Sequence, residues 1–214
     1  MIEVREIDSK TAVDFLLPRH YSGRIPPISY AYGGYLDNEL VAVCTFGKPV
    51  SHYLCTGVCG EQYHSKVFEL NRLCRIESLT IPLSQFLGGV LREISKHDLI
   101  IVSYSDTDMN HHGYIYQATN FIYTGITKGR TDKYVSGNKH SRHYNNDEQG
   151  RYRKIRSPKH RYIFFATKNK RLKKELLGEL KYPICEYPKG DNKTYTLGEY
   201  QKPKLIDTVS GKIP

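Results

Sequence analysis

Apolar and polar positions alternate in MIEVREI, the period-2 signature of a strand. The pattern then switches to helical spacing. Ala12, Phe15 and Leu16 fall on one stripe, Asp8 or Ser9 stands where a cap belongs, and Pro18 stops the helix. ISYAYGGYLDNELVAVCTFG reads as two strands joined at Asp37-Asn38, a hairpin signal. Residues 49–66 keep no period and read as a polar loop, and VFELNRLCRI reads as the next strand. In QFLGGVLREISKH the residues Phe86, Leu87, Val90, Leu91 and Ile94 recur every 3.6 positions, with Ser84 as the expected cap. LIIVSYS is a continuous apolar run of the kind buried on both faces. HGYIYQATN then predicts a short helix, FIYTGIT and RYIFFAT two strands, and KRLKKELLGELK a basic amphipathic helix.

Helices that cross between successive strands predict an α/β class with parallel pairing in the middle of a mixed sheet. One catalytic domain is expected over residues 1–170, with the helix and tail of 171–214 packed on it or extending from it. The element order resembles that of the GNAT acyltransferases, whose mixed sheet is splayed at its centre and flanked by helices. That resemblance implies that VFELNRLCRI and LIIVSYS separate at their C-terminal ends. A donor would lie in the gap, with functional residues on the strand ends and on the loops facing it.

Charge narrows the set of partners. The 214 residues carry 32 Lys and Arg against 22 Asp and Glu, a net +10, which favours a polyanion. The excess is clustered: residues 128–161 hold eleven Lys and Arg against three acids, with Tyr134, Tyr144 and Tyr152 interleaved. Basic residues with aromatics among them suit phosphate contacts and base stacking. No apolar run approaches the roughly 20 residues of a membrane span. Five cysteines, an odd number, and the absence of a signal peptide point to a reducing cytoplasm rather than a disulfide framework. Cys55 and Cys59 have no second ligand pair of the kind a structural zinc uses.

The candidate chemistry falls in three places. Strand alternation in LNRL puts Leu70 and Arg72 on one face, and Glu69 and Asn71 on the other. Arg72 is a candidate clamp on an anionic or amide donor, and an internal Glu69–Arg72 or Glu69–Arg75 ion pair is the structural alternative. SYSDTD brings Ser103, Tyr104, Asp106 and Asp108 to a strand end, where open sheets place ligands. Asp108 is expected to cap the next helix, leaving Asp106 for function as a base or metal ligand. Tyr114 and Phe121 are assigned to the core. RHYSGR combines cations with an aromatic, and makes Tyr21 the candidate for stacking on a base. Its Arg19 and Arg24, with Arg151, Arg153, Lys154 and Arg156 of the insert, are the candidate DNA contacts. His20, Asp106 and one histidine of the His111-His112 pair, taken as His112, form a candidate His-and-carboxylate metal set of a kind that suits non-haem iron.

RHYSGR, FELNRL, VSYSDTDMNHHGYIYQATNFIYTG and YPICEYPKGDN together resemble the bacteriophage Mom DNA-modification proteins, from about residue 15 to about residue 192. That family has a GNAT-like fold and converts adenine in duplex DNA to a carbamoylmethyl derivative on its exocyclic amino group. The modification hides phage DNA from host restriction enzymes. The resemblance implies double-stranded DNA as partner, iron, and acetyl-CoA or a related small-molecule donor. It points to His20, Tyr21, Arg72, Ser103, Asp106 and Tyr116, with Arg72 and Ser103 toward the donor. One departure is visible: RIESLTIPLSQFLGG places Pro82 where a pyrophosphate loop offers amides, and puts Gly88 and Gly89 inside the helix. An acetyltransferase with another substrate and a DNA binder without chemistry stand as the alternatives. A monomer and a homodimer both fit the sequence.

Overall fold

Alternation at the start of the chain produces three antiparallel strands, β1 (Glu3–Glu6), β2 (Tyr30–Leu36) and β3 (Glu39–Gly47). They belong to a computed structural model that describes residues 2–20, 24–78, 80–134, 152–191 and 204–210. Asp37 and Asn38 turn β2 into β3 with φ of +51° and +66°, which matches the twist of the flanking strands. Between β1 and β2 runs α1 (Ser9–Leu16), whose Asp8 cap accepts the Thr11 amide at 2.9 Å. It buries Ala12, Phe15 and Leu16 against Ala31, Val43 and Cys74.

The remaining core elements are α2 (His52–Cys59), β4 (Val67–Arg75), α3 (Leu83–Ile94), β5 (Leu99–Asp106) and α4 (Tyr114–Gln117). They are followed by β6 (Ile122–Ile126), β7 (Arg130–Lys133), β8 (Tyr152–Arg156), β9 (Lys159–Ala166), α5 (Lys170–Gly178) and β10 (Leu205–Asp207). Seven strands form one sheet in the order β1-β2-β3-β4-β5-β9-β6, in which β4 and β5 are the parallel pair. Their pairing covers Val67–Glu69 against Ile100–Val102 and then stops, although β4 continues to Arg75 and β5 to Asp106. This is the central splay that the GNAT resemblance implies. At its apex the Ser103 hydroxyl donates to the Leu70 carbonyl at 3.3 Å, replacing the next rung of the ladder.

Two layers of helix cover the sheet. α1, α2 and α5 lie on the face that receives Val43, Val67, Ile100, Val102 and Phe165, while α3 and α4 lie on the face of Phe46, Leu70, Ile101 and Tyr162. These are called the α1 face and the α3 face below.

Three expectations are corrected. Residues 49–66 are α2 followed by a 3-10 turn at Glu61–Lys66, not a loop. Cys55, Val58 and Cys59 form a buried stripe, and Ser51 caps the helix through the Leu54 amide at 3.3 Å. Cysteine supplies the apolar period there, and the period is short. α3 starts at Leu83 behind Pro82, so Ser84 lies within the helix and does not cap it. The basic insert is partly ordered: β7, β8 and β10 form a small antiparallel sheet in the order β10-β8-β7. Its residues 135–151 lie outside the described residues.

Candidate active site in the splay

A β-bulge decides what the splay contains. Thr45 pairs with Arg72 and Phe46 with Leu70, so Asn71 is an extra residue on β4. Leu70 packs on the α3 face, whereas Glu69, opposite Gly47, and Arg72, opposite Thr45, turn to the α1 face. Simple alternation put Arg72 and Glu69 on opposite faces; the bulge puts them on the same one. Asn71 is tied down through Thr45 Oγ1 at 2.6 Å and the Pro27 carbonyl at 2.7 Å. The Arg72 guanidinium donates to the Asn71 carbonyl at 2.6 Å and to the Arg24 carbonyl at 3.2 Å.

The loop after α1 brings His20 to Arg72. Its ring is buried, and burial together with the Arg72 charge lowers its pKa to about 3, so it is a neutral imidazole. Across the gap, Tyr104 and Asp106 of β5 and their partners Arg161 and Lys159 of β9 share the α1 face. Burial, and after it the nearby Glu69, raises the Tyr104 hydroxyl well above its ordinary range. Burial also raises the Glu69 carboxyl, against the opposing pull of Lys159 and Arg72. Among the described residues Glu69 makes no hydrogen bond or ion pair, so the alternative of an internal bridge to Arg72 or Arg75 is not formed.

Asp106 is differently engaged. Its carboxylate pairs with Lys159 at 3.0 Å, accepts from the Ser157 hydroxyl, and caps the following 3-10 turn through the Asp108 amide at 3.0 Å. Burial works to raise its pKa, but Ser157 and Lys159 outweigh burial and hold it below the usual carboxylate range. Asp108 does not cap the next helix as expected: α4 starts behind Gly113 without a side-chain cap, and Asp108 pairs with Lys204 at 3.2 Å.

The other predicted residues lie on the α3 face or elsewhere. Ser103 is fully buried at the apex. Tyr116 is a core residue, packed on Phe121 and Tyr162 with ring centroids 5.2 Å from each. Tyr114, expected in the core, is instead partly exposed and bonds to Gly190 through its hydroxyl. His112 lies beneath the strap of residues 182–191. The Tyr162 hydroxyl donates to its carbonyl, and its ring lies 5.6 Å from that of His160. Arg19 folds over the Phe15 ring at 4.5 Å, whereas Arg24 is exposed. Tyr21 and Arg151 lie outside the described residues.

These positions do not suit iron. Among the described residues no three His, Cys, Asp or Glu side chains converge as metal ligands. His20 and His112 belong to opposite faces, and the carboxylate of Asp106 is held by Lys159, Ser157 and its own turn. A coenzyme A pyrophosphate also lacks its usual cradle. The segment 76–82 before α3 has no glycine, and Gly89 lies mid-helix, where a Cβ would meet Val4 at 2.6 Å. Gly89 therefore serves helix–sheet packing.

The small sheet adjoins the gap. Burial, and then the like charges of Arg156 and Arg24, lower the pKa of Lys154, with Lys159 contributing in the same sense. Lys154 of β8 thus lies close enough to Arg24 and Lys159 to feel their charge. Arg156 is partly balanced by Asp132 at 2.7 Å, and Arg153 grips Thr131 at 2.7 Å.

The profile of the Mom protein family matches residues 1–189. The chain belongs to the Mom family. A search of curated proteins by sequence finds no match. Three solved structures are similar to this Mom-family chain in fold. One is an IAA acetyltransferase from Bacillus cereus, 12% identical over 77% of this chain and 99% of its own, with a TM-score of 0.46. Another is a GNAT family acetyltransferase from Elizabethkingia anophelis with acetyl-CoA bound, 12% identical over 77% and 97%, TM-score 0.47. The third is a putative acetyltransferase from Salmonella typhimurium with acetyl-CoA, 7% identical over 79% and 96%, TM-score 0.49.

The sequence missed Glu69 as a site residue because a bulge is invisible to alternation. It missed Lys159 because Lys159 was grouped with the basic insert, although it begins β9.

Proposed function

We propose that this protein modifies the exocyclic amino group of adenine in duplex DNA, adding a carbamoylmethyl group taken from a small-molecule donor. The observation that carries the reading is the splay on the α1 face, where Glu69 and Arg72 of β4 and Tyr104 of β5 stand at and beyond the last paired residues, with His20 beside Arg72 and the cations Lys159, Lys154 and Arg24 nearby. A pure DNA binder has no use for a half-buried carboxylate held without a hydrogen bond, since desolvating a charge is costly. Membership of the Mom family supports the choice of DNA as substrate.

An adenine inside a duplex cannot reach a cleft between strands, so the base is flipped out, at a cost of a few kcal/mol. Arg153, Lys154 and Arg156 of β8, with Arg24, hold the phosphates, and Tyr21 stacks on the extruded base. Arg72 orients the donor, and neutral His20 beside it accepts or donates a hydrogen bond without adding charge. The modified base would shield the DNA from restriction enzymes in the cytoplasm. Mass spectrometry of nucleosides from plasmid DNA of expressing cells tests this. The expected product is deoxyadenosine enlarged by one carbamoylmethyl group; unmodified nucleosides alone would refute the reading.

A further inference from the structure

We infer that Glu69 is the proton acceptor of the transfer, a role that rests on the reading of the splay as a group-transfer site. Glu69 is the last residue of β4 to pair with β5, facing Val102, so its side chain leaves the sheet where the two strands part. Beyond it on the same face come Arg72 from β4, Tyr104 and Asp106 from β5, and Lys159 from β9, with His20 beside Arg72. Among the described residues the carboxylate is bound to none of them. Lys159 is engaged with Asp106 at 3.0 Å, and Arg72 with two backbone carbonyls. Lys159 and Arg72 attract Glu69 through space, without a hydrogen bond among the described residues that would tie its carboxylate into the fold.

Its position suits base chemistry. An exocyclic amine is a weak nucleophile because its lone pair is delocalised into the ring, so the proton must leave as the new bond forms. The amine nitrogen bonds to the electrophilic carbon of the donor. The bond from that carbon to the leaving group breaks, the leaving group keeping the electron pair. The N–H proton passes to a Glu69 carboxylate oxygen, and the amine leaves the step neutral. Asp106 is a poorer acceptor, because its lone pairs already bind Lys159, Ser157 and the Asp108 amide. His20 is neutral but lies beside a fixed cation, which opposes its taking a proton. Burial raises the basicity of Glu69 in the useful direction.

The test uses the purified full chain, plasmid DNA, and a protein-free filtrate of the expressing cells as donor source, comparing wild type with Glu69→Gln. Modification is expected to fall by about 100-fold or more. The acid limb of the wild-type pH–rate profile should be absent from the residual Gln rate. DNA affinity should be unchanged. A carboxyl whose pKa is raised in the folded state contributes stability at low pH that is lost as pH rises, so neutralising it should leave the melting temperature at pH 7 equal or higher. A Gln variant within a few-fold of wild type overturns the assignment while the functional reading stands. So does a lowered melting temperature with a matching loss of DNA binding, since that marks a structural role. A wild-type protein that leaves the DNA unmodified sinks the functional reading, and the assignment with it.

Discussion

On the α1 face of β5, Tyr104 and Asp106 stand beside Glu69, Arg72 and Lys159; on the α3 face, Ser103 and Ser105 stand opposite Tyr162 and His160, close to His112. The residue types are alike, yet their surroundings differ. The α3-face groups are mostly bonded to one another or to backbone. His160 meets the Tyr123 hydroxyl at 2.8 Å, Gln117 donates to the carbonyls of His112 and Pro188, and Tyr187 donates to that of Phe121 at 2.7 Å. Ser105 Oγ is a buried exception, with no hydrogen-bond partner among the described residues. The α1 face instead leaves Glu69 between the cations Lys159 and Arg72 without a hydrogen bond among the described residues, and His20 neutral against a cation. Histidines and tyrosines near a strand end are therefore not enough to mark a site; what marks it is ionisable groups shifted from their ordinary range by burial and neighbouring charge.

The comparison breaks most sharply at Arg72. Arg72→Ala should lower modification by about 100-fold or more, because a positioned clamp acts on the reacting complex. The fall in melting temperature should stay within a few degrees, roughly 1 kcal/mol or less for a chain of this size. Tyr116→Phe, on the opposite face, should leave the product yield within a few-fold. If both variants lose the product equally, the division between the faces is wrong. The next effect concerns the approach of DNA. Replacing Arg153, Lys154 and Arg156 together by Gln should flatten the dependence of log affinity on log salt by roughly 2–3, about 0.9 per lost phosphate contact. An unaltered slope would remove the small sheet from the interface.

The frame that carries this division was legible in advance. Most of the element order follows from where apolar runs alternate with helical stripes, the splay was implied by the GNAT resemblance, and the buried LIIVSYS run identified β5 as central. Residue identity also drew attention to Arg72, His20 and Asp106. Which face each residue takes was not legible. The bulge at Asn71 shifts alternation by one, and the strap of residues 182–191 folds back on His112 from about seventy positions later in the chain, through contacts that no local period encodes.

Gly190 sharpens the α3 side of the comparison. Its φ is +150°, and a Cβ there would stand 2.6 Å from His112 Nε2. Gly190→Ala should therefore destabilise the strap by about 1–3 kcal/mol. Thermal melts should show this as a loss of a few degrees, with the salt slope of DNA binding unmoved. The smallest effect is a pH dependence. His20 titrates near 3 when folded and near 6.5 when unfolded, so below pH 6.5 the unfolded chain takes up a proton that the folded one refuses. Stability should fall on acidification from pH 6.5 to 5, by up to about 1.4 kcal/mol per pH unit from this group. His20→Gln should show a shallower fall over that window, and identical pH profiles would place His20 in solvent.

The bulge on β4 also changes how densely a strand can carry function. On a regular strand, side chains of one face recur every second residue, about 6.6 Å apart. At Asn71 and Arg72 two neighbouring residues share the α1 face, with Cα atoms about 3.8 Å apart. One tethers the loop at Pro27 and the other points its guanidinium beside His20, a division of labour that a flat strand would spread over an extra pitch. Because Asn71 is supernumerary, deleting it would restore an even strand without turning any other β4 side chain to the opposite face. The tether could thus be lost, or gained, by a single-codon insertion or deletion that leaves Glu69 and Arg72 facing the same opening.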